Sequence, residues 1–293
     1  MLVLMGVTNT ISRMLGWRSR RAAHVSRANA VVSKPESRTD ASPPASDGED
    51  RARKKPSTRE RDMRRDEVFL GFFEKCALNS MTSMERLYGL YTSIEYIVRN
   101  QLPGDIVECG VWRGGSMMMA ALSLLHFGDK AGRRLFLFDT FEGMPAPTGA
   151  DYKFDGMQAD EKWQSLQRGE GSEWNNVPIE IVRDAMASTN YPEDKIVLVK
   201  GRVEDTLPIH GLDQIALLRL DTDFYASTKQ ELTHLYPRLV PGGVLIVDDF
   251  GTWAGSHRAV VEYFDEHDIS ILLSRLDAAG RIGIKSSSQS TPR

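Results

Sequence analysis

Apolar residues recur at two periods along this chain. Residues 69–102, FLGFFEKCALNSMTSMERLYGLYTSIEYIVRNQL, carry them at helical spacing, with Leu87, Leu90, Tyr91, Ile94 and Ile97 (Val98 beside them) on one face. Short runs of strand length follow: DIVECGV from Asp105, RLFLFD from Arg134, KIVLVKG from Lys195, IALLRLD from Ile215, GVLIVDD from Gly243, ISILLS from Ile269 and RIGIKS from Arg281. Helical stretches separate the first five: SMMMAALSLLHFG, a stretch near DAMASTN, and YASTKQELTHLYPRL; RAVVEYFDEH follows the fifth. Alternating strands and helices with nearly continuous apolar strands predict an α/β fold, a parallel sheet covered on both faces. No helix separates the last two runs, so the loop LDAAGR closes them into a hairpin at one sheet edge.

Such sheets take their ligands beyond the carboxyl ends of the strands, where the strand order reverses. The first strand runs into VECGVWRGGSMMMA, a tight turn followed by a helix. Gly110, Gly114 and Gly115 permit positive φ and close backbone approach, and the helix starting near Gly115 and Ser116 offers N–H groups to an anion. The spacing is not the dinucleotide fingerprint G-x-G-x-x-G, and Glu108 would repel a pyrophosphate while suiting an ammonium. A cofactor carrying an amino acid is therefore expected in preference to NAD. Asp139 ends the second strand, where an acid accepts from ribose hydroxyls, and Gly201 and Val203 follow the third, where an adenine edge would rest.

These motifs carry a resemblance. The runs MTSMERLYGLYTSIEYIVRNQLPGDIVECGVWRGGS, LFLFDTFEGMP and LRLDTDFYASTKQELTHLYPRLVPGGVLIVDDFGTWAGSHRAV, across roughly residues 80–285, resemble the macrocin O-methyltransferase family. The resemblance implies a class I methyltransferase sheet of Rossmann-like type, order 3-2-1-4-5-7-6 with the seventh strand antiparallel. It implies enzymes that depend on S-adenosylmethionine and Mg²⁺ and methylate sugar hydroxyls of natural products. Glu108, Gly110 and the Gly114–Ser116 turn would then hold the methionine part, Asp139 the ribose, and Asp221, Asp248 and Asp249 the metal. It also implies association of copies through lid segments. A catechol-type O-methyltransferase shares fold and metal, but the P-G-G-x-x-x-x-D-D spacing favours the macrocin type.

An alcohol is a poor nucleophile, and a divalent cation lowers the pKa of a bound hydroxyl. Hard Mg²⁺ takes oxygen ligands, which explains acids crowded at neighbouring strand ends. Asp221 is also the expected general base, with His257 as the second candidate. Asp223 reads as a cap of the helix beginning in DTDFYAST. Residues 142–176, polar with Tyr152, Phe154, Trp163 and Trp174 among them, read as a lid over the acceptor, with Phe250 and Trp253 shaping its pocket. The helix at 81–98 would cover the cofactor, with Met81 and Thr82 near its methionine end.

Charge divides the chain. Residues 1–65 hold 15 Lys/Arg and 7 Asp/Glu, a net of +8, so with a total of −3 the remainder carries −3 − 8 = −11. Residues 33–62 are polar and Pro/Ser-rich and are expected to be disordered, and residues 1–65 form a basic head ahead of a methyltransferase domain at 66–293. The Arg-rich first thirty residues resemble a transit peptide or a membrane-touching helix, against the plainer expectation of a tail. The run Arg51–Lys55 is read as a linker rather than a nucleic-acid patch. The two cysteines, Cys76 and Cys109, lack metal-ligand spacing and fit a reducing, cytoplasmic setting. No apolar run approaches a membrane span. The expected partner is a small hydroxylated acceptor, with no nucleic acid and no membrane insertion. The competing reading is a non-catalytic S-adenosylmethionine-binding relative acting as a docking module; such a relative would have lost one of the three acids, and all are present.

Overall fold

The β-period runs become one sheet and the helical runs cover it. The computed structural model describes residues 62–169 and 171–286; the expectations for the basic head up to residue 61 lie outside them. All described residues fall in one compact unit, Lys54–Arg293. The chain enters with α1 (Glu67–Cys76), whose first turn is capped by Asp66 accepting from the Phe69 N–H, and α2 (Met84–Arg99), capped by Ser83. Met63, before α1, is packed into the core at 4% exposure.

Strands and helices then alternate: β1 (Asp105–Cys109), α3 (Gly115–Phe127) and β2 (Leu135–Asp139). The long connection follows, holding α4 (Ala159–Ser165) and a hairpin of β3 (Gln167–Arg168) with β4 (Gly171–Ser172). After it come α5 (Ile179–Ala187), β5 (Ile196–Lys200), the single turn α6 (Val203–Thr206), β6 (Ile215–Leu220), α7 (Tyr225–Leu235), β7 (Leu239–Val247) and α8 (Ala254–Glu266). The chain closes with β8 (Ser274–Arg275) and β9 (Arg281–Ile284).

The sheet order is β5-β2-β1-β6-β7-β9-β8. Counted without the small hairpin this is 3-2-1-4-5-7-6, and β9 runs antiparallel to β7, as expected. Side chains alternate across the plane. Ile106, Leu135, Leu137, Val244 and Ile246 join α1, α2, α3 and α5 in one core, while Val107, Phe136, Phe138, Leu245 and Val247 join α7 and α8 in the other. The ISILLS run departs from expectation. Only Ser274–Arg275 pair with β9, because Ile269, Ile271 and Leu273 pack against the second core from irregular chain and Leu272 faces solvent.

Strand order reverses between β1 and β6, and there the two strand ends touch. Gly110 has φ +80, and a Cβ on it would stand 2.1 Å from the Asp221 carbonyl oxygen. The ladder continues past the strands: the Asp221 N–H donates to the Cys109 carbonyl and the Asp248 N–H to the Leu220 carbonyl, both at 2.9 Å. The sheet itself therefore fixes the backbone of these two acids.

Candidate active site

A cavity of about 360 Å³ opens at this switch point. Gly110, Gly115, Ser116, Asp139, Gly201 and Val203 line it on one side, and Asp221, Asp248 and Asp249 on the other. Two expected cofactor residues are not in its lining. Gly114 is the left-handed residue before α3, at φ +85. Glu108, expected to hold an ammonium, is corrected: it is 1% exposed and points into the wall at Arg219. One of its oxygens, Oε2, has no partner among the described residues.

Asp139 binds its own loop. Oδ2 accepts from the N–H groups of Val111 (2.8 Å) and Trp112 (3.1 Å), and Oδ1 from that of Phe141 (2.9 Å). It thereby fixes the turn that leads into α3, whose first turn carries no side-chain cap. Opening N–H groups without an intrahelical partner suit an anionic carboxylate. Met81 and Thr82 also reach the cavity, and the Thr82 hydroxyl lies 3.4 Å from Asp248 Oδ1.

The acid group is held by arginines that the sequence reading passed over. Arg219, 3% exposed within β6, donates Nη1 to Glu108 and Asp221 and Nη2 to Asp248. Arg86 of α2 donates to the other Asp248 oxygen and pairs with Asp277 at 2.9 Å. One buried guanidinium thus joins the ends of β1, β6 and β7. The signal lay in IALLRLD, where an arginine interrupts a strand apolar on both faces and must find buried acids there.

Asp221, Asp248 and Asp249 each offer an oxygen, and these lie within 4.8 Å of one another. Among the described residues Asp249 pairs with no guanidinium and Asp221 meets Arg219 through Oδ2, and the acids outnumber Arg86 and Arg219. Three hard oxygen donors with surplus negative charge fit a divalent cation, although Asp248 would share its oxygens with two guanidiniums.

Asp223 does not cap α7, contrary to expectation. The helix has Phe224 before its first turn and no side-chain cap there; the Tyr225 N–H donates instead to Asp151 Oδ1, at 2.7 Å. Asp223 has φ +66, a strained value for a non-glycine residue, and its carboxyl lines the cavity against Asp249. Burial pushes it up to about 7, the Asp249 hydrogen bond opposing and nearby acids adding to the rise. Under the turn, fully buried Glu231 accepts from the Thr222 hydroxyl at 2.9 Å, and burial raises its carboxyl well above the usual range. His257 stands outside the lining, its Nδ1 3.2 Å from the Phe250 carbonyl and its ring against Phe250.

The segment 142–176 closes one side. Gly143, Met144, Lys153, Lys162, Trp174 and Asn175 line the cavity from it. Trp174 packs with Phe224 and Trp253 in a buried aromatic cluster, while Tyr152 and Phe154 are exposed. Gly143, at φ +91, lets the segment fold on itself: a Cβ there would stand 1.9 Å from the Ser172 carbonyl oxygen.

Residues 32–282 match the macrocin O-methyltransferase (TylF) family. A tetracenomycin relative, 8-demethyl-8-(2,3-dimethoxy-alpha-L-rhamnosyl)-tetracenomycin-C 4'-O-methyltransferase of Streptomyces olivaceus, is 37% identical over 202 residues, 69% of this chain and 74% of that one. Mycinamicin III 3''-O-methyltransferase of Micromonospora griseorubida is 33% identical over 69% of this chain and 76% of its own. The structure of the O-methyltransferase NovP superposes with TM-score 0.62 at 31% identity, covering 71% of this chain and 82% of that chain.

Proposed function

Since this chain belongs to the macrocin O-methyltransferase family, and is thus an S-adenosylmethionine-dependent O-methyltransferase, we propose that it methylates a sugar hydroxyl of a glycosylated natural product. The observation that carries the reading is the single cavity shared by the glycine turn after β1 and the acids after β6 and β7. The sugars in the names of its relatives support the acceptor class.

The cofactor's methionine part would lie along Gly110, Gly115 and Ser116, its ribose at Asp139 and its adenine by Gly201 and Val203. Bound there, S-adenosylmethionine would supply its methyl group to the acceptor hydroxyl, whose proton would pass to a base of this chain, and would leave as S-adenosylhomocysteine. Asp221, Asp248 and Asp249 would hold a Mg²⁺ ion, which acidifies a hydroxyl beside it. We assign the base to Asp223 rather than to the expected Asp221. Arg219 engages Asp221, whereas Asp223 is turned into the cavity by a strained backbone that serves no capping role. Glu108 acts through Arg219, keeping the fork in register.

Calorimetry with S-adenosylhomocysteine, with and without Mg²⁺ and chelator, tests the cofactor and metal parts; absent binding rejects the reading. Asp223→Asn should slow transfer by about 100-fold or more while leaving S-adenosylhomocysteine affinity within a few-fold. A variant as fast as the parent returns the base to Asp221.

A further inference from the structure

Two lysines on the acceptor side lack the partners that the other cations of the site have. Lys153 and Lys162 both line the cavity, and among the described residues neither joins an ion pair. Arg86, Arg202 and Arg219 each pair with an acid. The lysines rest instead on indoles: the Lys153 ammonium is 5.1 Å from the Trp253 ring centroid and that of Lys162 4.2 Å from the Trp174 centroid. Those two rings pack 6.0 Å apart, so a rigid, buried pair of tryptophans presents two ammonium groups to one space.

That arrangement sets two like charges at one cavity. Lys162 is half-buried, and desolvation first, then repulsion from Lys153, weakens its hold on its proton, with the Asp223 carboxylate opposing. The Asp223 carboxylate acts on both ammonium groups from beyond ion-pairing distance, and among the described residues no acid pairs with either directly. An anion between the ammonium groups removes the repulsion and gains charge-assisted hydrogen bonds. The opposite wall is acidic and repels such an anion, which orients the acceptor: charged end toward the tryptophans, sugar hydroxyl toward Asp223.

We infer that the acceptor is an anionic sugar conjugate whose acidic group lies between Lys153 and Lys162. The inference rests on the methyl-transfer reading and narrows its substrate class. Two sources of the anion share this chemistry, an acidic aglycone and a sugar phosphate.

Calorimetry on the protein saturated with S-adenosylhomocysteine separates them. The probes are 4-carboxyphenyl α-L-rhamnoside against its neutral 4-carbamoylphenyl counterpart, and thymidine diphosphate-rhamnose against methyl α-L-rhamnoside. At least one anion should bind about ten-fold tighter than its neutral partner, and which one does so names the source. Lys153→Met with Lys162→Met should abolish the preference, and arginine at both positions should retain it, with S-adenosylhomocysteine affinity as the check on folding. Anions binding no tighter than neutral partners, or a preference that survives the double methionine variant, overturns the inference while S-adenosylhomocysteine binding leaves the methyl-transfer reading standing. Failure to bind S-adenosylhomocysteine strikes both.

Discussion

Arg219 governs the residue scale. It is the guanidinium that Glu108 and Asp221 contact and one of two that Asp248 contacts. Removing one member of a buried charge cluster leaves the others uncompensated, at a cost of about 3–5 kcal/mol. Arg219→Met should lower the urea-unfolding free energy by that amount at neutral pH, and a loss under about 1 kcal/mol would mean the acids are solvated. Arg219→Lys should restore little, since one ammonium cannot span three strand ends. Glu108 sets a pH dependence. Burial raises its carboxyl from 4.5 to about 7, with Arg219 pulling the other way. The folded state therefore binds this proton more tightly than the unfolded chain, so the group's contribution is full below about pH 4.5 and is lost as pH rises through about 7. Without divalent cations, Glu108→Gln should flatten the fall in urea midpoint across that window, and an unchanged slope would assign the titration to other acids. The sequence showed the acids as pairs at strand ends; it hid what they face, because partners such as Arg86 and Glu108 lie far apart in the chain.

At the scale of elements, the connection at 142–176 is attached to the turn between β6 and α7 through Asp151. This residue, 3% exposed, accepts from the Tyr225 N–H through Oδ1 and from the Thr148 N–H and hydroxyl through Oδ2, each at 2.7 Å. It caps α7 in the place that sequence spacing offered to Asp223. An aspartate in a polar loop gives no hint of such a long-range cap, whereas Asp223 stands in sequence where a cap belongs and is turned away by its positive φ. Asp151→Ala should cost about 1–2 kcal/mol, the loss of a good N-cap. It should also make residues 142–176 the first site of limited proteolysis while the sheet stays folded. Resistance equal to the parent's would show that the Trp174–Phe224–Trp253 cluster holds the segment unaided.

On the scale of the whole molecule, the sheet was legible because strands buried on both faces leave an unmistakable apolar run. The edge was read too generously. ISILLS has the composition of a strand, but its apolar side chains serve packing, and only its last residue, Ser274, reaches the ladder, followed by Arg275. Composition alone does not separate those uses. The described residues contain no helix long and apolar enough to cross a membrane. The division between sheet and insertion has an evolutionary consequence. Asp221 and Asp248 hang on ladder-fixed backbone clasped from inside by Arg219, whereas Lys153, Lys162 and Trp174 reach the same cavity from a separate stretch moored at Asp151. On the proposed reading, drift in that stretch would retarget the enzyme to new scaffolds while the acids beneath are inherited unaltered.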